Sequence, residues 1–147
     1  ALPRGPFGFV LRPKANIMND SRIIHSDQAP QPVGAYPHAR RVGDLLFLSG
    51  IGSRIPGSDD IPNGIEAQTE QVIENLKAVL ASCGCTLDDV VDVTAFLVDM
   101  EGDFAGYNQV YGRHFSSIQA ARTTLAIRAL PTPIAVEFKV IAAVGRS

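Results

Sequence analysis

The segment AARTTLAIRALPTPIAVEF, residues 120–138, holds two runs of β-branched and aliphatic residues on either side of a Pro131–Pro133 break. Proline locks its own φ and lacks an N–H, so neither a helix nor a central strand passes through that break, and the runs read as two strands. Each run carries one charge among apolar neighbours, Arg122 near the start and Glu137 near the end. Side chains alternate along a strand. Arg122, Thr124 and Ala126 therefore share one face, while Glu137 points opposite to Val136 and Phe138 and shares its face with Lys139.

Working outward, SRIIHS (21–26) is a short strand, and AYPHARRVGDLLFLSG (35–50) is a hairpin turning at Gly43-Asp44. The Gly, Pro, Ser and Asp residues of IGSRIPGSDDIPNG (51–64) make a loop long enough to be functional. Asn63 with Glu66 three residues on reads as a capping box. Ile65, Thr69, Val72, Ile73, Leu76, Val79, Leu80 and Cys83 then recur at helical spacing until Gly84. DVVDVTAFLV (89–98) is a strand by its β-branched content. Phe104, Tyr107, Tyr111, Phe115 and Ile118 form the apolar stripe of a second helix, despite two glycines inside it. The order β-β-β-α-β-α-β-β predicts a single α+β domain over residues 21–147: one mixed sheet with both helices on one face. Residues 1–20 are read as an extension or tag outside the fold, with Met18 a native start or the leader a genuine extension.

Two helices leave the second sheet face uncovered, yet apolar residues occupy both alternating sets of the last strand. A second copy of the chain is the expected cover.

Several function classes fall away on composition. A formal charge of −2 over 147 residues advertises no surface for nucleic acid or anionic membrane. No apolar run approaches the ~20 residues of a membrane span, and the opening residues lack the apolar centre of a secretory signal. The Cys83-Gly84-Cys85 pair has no further ligands at zinc-site spacing among His25, His38 and His114, so no metal is expected and both cysteines are read as thiols of a reducing cytoplasm. SGIGSR (49–54) contains G-x-G but lacks the rest of a dinucleotide-binding turn. No Ser-His-Asp or Cys-His grouping has supporting spacing.

That leaves Arg122 and Glu137. A guanidinium presents a planar fork of donors suited to a carboxylate. A carboxylate drawn partly out of water takes and gives protons nearer neutrality. The plain alternatives are a buried Arg122–Glu137 ion pair, or a salt bridge from Glu137 to Lys139 or to a neighbouring chain.

Three separated stretches, APQPVGAYPHARRVGDLLFLSG (29–50), DFAGYNQVYGRHF (103–115) and AARTTLAIRALPTPIAVEF (120–138), together resemble the reactive-intermediate deaminase (Rid) family of enamine/imine deaminases over nearly all of residues 21–147. The resemblance implies a chorismate-mutase-like fold assembled as a homotrimer. The sheets face its centre and the clefts fall between subunits, with pairing of trimers left open. It implies no cofactor. It places the substrate-carboxylate arginine on Arg122 and the water-handling glutamate on Glu137. Further substrate contacts fall on Tyr36, Ser49, Gly50 and Thr124, and Asn108 matches a helix asparagine expected to be structural. The SGIGSR loop departs from the common pattern and is similar to the 2-aminomuconate deaminase branch, whose dicarboxylate substrate calls for a second cation; Arg54 is the expected one. The alternatives are a broad 2-imino-acid deaminase and a non-catalytic trimeric module that binds small carboxylates.

Overall fold

The computed structural model describes residues 20–145. Of the segment 1–20 read as an extension, only Asp20 is among them. Six strands form one sheet in the order β1-β2-β3-β6-β4-β5, with two helices between strands in the chain. The strands are β1 (Ile23–Ile24), β2 (Ala39–Val42), β3 (Leu45–Leu48), β4 (Val90–Leu97), β5 (Ala121–Ala126) and β6 (Val136–Ala143). The helices are α1 (Ile65–Ser82) and α2 (Met100–Phe115). Only β4 and β5, joined through α2, run parallel; the other neighbours are antiparallel. The α+β class, the element order and the mixed sheet follow the sequence reading.

Burial alternates strictly along β6. Val136, Phe138, Val140 and Ala142 are buried, and Glu137, Lys139, Ile141 and Ala143 are half-exposed. The buried set packs with Val72, Ile73, Leu76, Val79 and Leu80 of α1 and Tyr107, Val110, Tyr111 and Phe115 of α2 into one core. Tyr107 and Tyr111 each meet Phe138 edge-on, at 6.1 and 6.0 Å between ring centres. Glu70 of α1 ties the two helices together, accepting from Arg113 at 3.1 Å and bonding the His114 ring at 2.8 Å.

Among the described residues, nothing covers the other sheet face. Val42, Leu45, Phe47 and Leu125 lie on it, each more than a third exposed, beside Phe96 and Ile141. An apolar sheet face of this kind is stable in water chiefly when something covers it.

Two local expectations are corrected. The N-cap of α1 is Gly64, not Asn63, and no side chain caps the helix. The chain enters through Gly64 at φ 89°, a left-handed conformation that glycine alone adopts without steric cost, and the Gly64 carbonyl accepts from Gln68 N–H at 3.0 Å. Phe104 remains 38% exposed. It sits in the first turns of α2, edge-on to Tyr107, while Val110 supplies the buried contact deeper in the helix.

Candidate active site

The segment after the first hairpin does not leave the sheet at once. Ile51 exchanges two backbone hydrogen bonds with Phe138, its N–H donating at 2.8 Å and its carbonyl accepting at 2.9 Å. This bridge lays Gly50 across the Glu137 side chain. A Cβ at position 50 would fall 2.8 Å from the Glu137 carboxyl carbon, so a larger residue there would push the carboxylate aside.

The loop is then anchored to α1 by polar residues inside that helix. The Asn75 side chain, 1% exposed, donates to the carbonyls of Gly52 at 2.9 Å and Arg54 at 2.8 Å. The Gln68 side-chain oxygen accepts from the Ser53 hydroxyl at 2.9 Å and from Ala135 N–H at 2.8 Å, joining this loop to the one before β6. Neither residue stands out in the sequence as a site residue. The available signal was a polar residue at a buried position of the α1 stripe, between Val72 and Val79.

On the opposite wall, His38 organises residues 26–32. Its Nδ1 accepts from Ser26 N–H at 3.0 Å, which leaves Nε2 protonated to donate to the Pro30 carbonyl at 2.8 Å. The Arg54 guanidinium crosses between the walls, donating to the Gln31 carbonyl at 2.7 Å, with Asp59 at 3.9 Å. Between the walls lies a small cleft whose lining includes Tyr36, His38, Ser49, Gly50, Arg54 and Asn75. The Ser49 hydroxyl donates to the Pro37 carbonyl at 2.7 Å, so its lone pairs remain to accept from a ligand.

Four expected substrate contacts, Tyr36, Ser49, Gly50 and Arg54, thus come together, with Glu137 against Gly50. Burial pushes the Glu137 carboxyl above its ordinary value, and among the described residues no cation lies within ion-pair distance of it. The alternative of a Glu137–Lys139 salt bridge is not formed.

Arg122 and Thr124 are placed elsewhere. Arg122 pairs in register with buried Val93, on the helix face of the sheet, whereas Glu137 opposes Phe96 on the open face. The Arg122–Glu137 ion pair is therefore absent from the chain. Instead the guanidinium lies over the Tyr111 ring, 4.7 Å from its centre and 5.4 Å from that of Tyr107, and donates to Asn108 Oδ1 at 2.8 Å. Thr124 shares a 2.8 Å hydrogen bond with the Tyr107 hydroxyl. Burial pushes the Tyr111 phenol up to about 12, against the field of Arg122, so the ring under the guanidinium stays neutral. Arg122 is nonetheless exposed on edge strand β5, with donors left over for a ligand.

These features define a single-domain α+β protein with a small cleft at the end of its first hairpin and an exposed, pre-oriented arginine on the far sheet edge. A family profile described as Endoribonuclease L-PSP matches residues 26–144. Protein DfrA of Myxococcus xanthus is 46% identical over 124 residues, covering 82% of this chain and 94% of that protein. Among solved structures, that of the yeast protein YEO7 superposes with a TM-score of 0.80 at 37% identity, covering 83% of this chain and 97% of that one. RidA from an Antarctic Psychrobacter gives 0.78 at 36% identity, with 82% and 98% covered. The chain belongs to the Rid (RutC, L-PSP) family. No helix among the described residues is long and apolar enough to cross a membrane.

Proposed function

We propose that the protein is a hydrolytic deaminase of enamine/imine acids, with each site completed by a neighbouring copy. The observation that carries this reading is the half-buried Glu137 carboxylate against Gly50 of the cleft wall, without an ionic partner among the described residues and with its proton affinity raised by burial. A carboxylate so placed is suited to shuttle one proton.

The enamine first tautomerises to its imine. Glu137 takes a proton from water as the oxygen bonds to the imine carbon, then returns it to nitrogen. Glu137 next carries the hydroxyl proton of this carbinolamine to its amine, and the C–N bond breaks as the carbonyl forms, releasing ammonia and the 2-oxo acid. The sum is imine plus water giving carbonyl plus ammonia. An imine carbon is already electrophilic, so a positioned water and a proton shuttle suffice.

Arg122 is the partner for the carboxylate beside the reacting carbon. Within one chain it lies on the opposite sheet face from Glu137, so the two act together only when β5 of one copy meets the open face of another. The exposed apolar residues of that face supply the driving force, and cyclic closure as a homotrimer satisfies every copy equally. The finer reading is a dicarboxylate substrate, 2-aminomuconate, taken from the departing SGIGSR loop; the broader one is a 2-imino acid such as 2-aminoacrylate.

A coupled ammonia assay on freshly generated 2-aminomuconate, beside imines of small amino acids and an RNA cleavage control, tests the reading. Ammonia from the first substrate in excess of the others supports the dicarboxylate branch. Carboxylate binding without ammonia release would make the protein a binding module. RNA cleavage alone would replace the deaminase reading.

A further inference from the structure

A second depression adjoins the cleft on the open sheet face. It is open to solvent and shares Tyr36 and Ser49 with the cleft; Arg40, Phe47, His25 and Lys139 also line it. Phe47 of β3 pairs directly with Arg40 of β2, and Lys139 of β6 lies 6.0 Å from the Phe47 ring centre on the other side. The aromatic ring is thus flanked by two cations, and among the described residues no carboxylate lines the groove.

The two cations are not equally free. Asp20, itself bound to Arg22 at 2.6 Å, acts electrostatically on Arg40. Lys139 makes no ion pair among the described residues; its ammonium donates to the Leu48 carbonyl, and burial lowers its proton affinity. A half-buried ammonium with one carbonyl partner keeps two N–H donors and an unbalanced charge. Arg54, by contrast, already holds the Gln31 carbonyl and faces Asp59.

Spacing ties Lys139 to the reacting end. Glu137 and Lys139 are two positions apart on one strand and point the same way, about 7 Å apart at the backbone. In an extended six-carbon 2-imino diacid the reacting carbon and the far carboxyl carbon are four bonds apart, roughly 5 Å on ordinary bond lengths, so a ligand reacting at Glu137 brings its far carboxylate within reach of Lys139.

We propose that Lys139 is the specificity-determining partner for the second carboxylate of a dicarboxylate ligand, whose unsaturated body lies along Tyr36 and Phe47. This assignment rests on Glu137 marking the reacting end.

The test uses two stable six-carbon dienoates, the dicarboxylate muconate and the monocarboxylate sorbate, titrated calorimetrically into wild type, Lys139→Gln, Lys139→Arg and Arg54→Ala. Wild type should bind muconate about ten-fold or more tightly than sorbate. Lys139→Gln should abolish that preference while leaving sorbate affinity unchanged, and Lys139→Arg should restore it. No preference in wild type, a preference that survives Lys139→Gln, or one lost in Arg54→Ala instead would overturn the proposal. Equal weakening of both ligands in Lys139→Gln, with no rescue by arginine, would also overturn it by assigning Lys139 to the support of Leu48. Because neither probe is turned over, a Lys139-dependent preference without ammonia release from 2-aminomuconate upholds the site and removes only the deaminase reading.

Discussion

Arg122 and Glu137 project from opposite faces of one sheet, on strands β5 and β6 that are separated by β4. A chain acting alone cannot close both on one small substrate. Two singly inactive variants, Arg122→Ala and Glu137→Gln, should therefore regain activity when unfolded and refolded together, as mixed assemblies place an intact arginine against an intact glutamate in about a quarter of the sites. Ammonia release from the mixture, compared with each variant refolded alone, is the measurement. A mixture as inactive as its components would show that no composite site forms.

Arg122 is held by shape as well as charge, its guanidinium over the Tyr111 ring and one nitrogen committed to Asn108. Arg122→Lys keeps the charge and loses both the ring contact and the two-pronged grip. Its kcat/KM should fall roughly 10- to 150-fold, the worth of a charge-assisted hydrogen bond. Near-normal kcat/KM would make the residue a structural partner of α2.

Glu137→Gln should lower kcat by ~10²–10⁴-fold with product affinity largely retained, since an amide holds a water but cannot take its proton. Its effect on stability has the opposite sign. A carboxyl whose folded value is raised above 4.5 binds more protons in the native than in the unfolded chain between the two values. Wild-type stability therefore falls as pH rises through that window, while the amide is indifferent to it. Glu137→Gln should melt higher than wild type at pH 7, and the difference should shrink toward pH 4. A lower melting temperature for the variant at pH 7 would contradict burial as the cause of the shift.

Asn75 answers for two carbonyls of the cleft loop. Asn75→Ala should leave both half-buried acceptors without their side-chain donor and cost about 1–2 kcal/mol of stability, read from denaturant midpoints. KM should rise more than kcat falls, because Gly52 and Arg54 lose their support while Glu137 keeps its place in β6. An unchanged KM would separate the loop from substrate binding.

The element order, the hairpin turn at Gly43-Asp44, the apolar stripes of both helices and the two charges of residues 120–138 were all legible in the chain, because alternation, helical periodicity and proline breaks are local properties. The family motifs also picked out Tyr36, Ser49 and Gly50, and the departing SGIGSR loop picked out Arg54; the fold places all four along one cleft. What the tertiary structure decided was relational. Gly64 rather than Asn63 is the N-cap of α1. Asn75 reads as an ordinary helical residue until its partners 21 and 23 positions away are brought to it. The alternation placing Arg122 with Thr124, and Glu137 with Lys139, holds within each strand. Which sheet face each strand gives to which set depends on pairing with β4, whose register puts Val93 beside Arg122 and Phe96 beside Glu137. Strand pairing joins residues distant in sequence, so no local pattern encodes it, and the separation of the two charges could be read only from the assembled sheet.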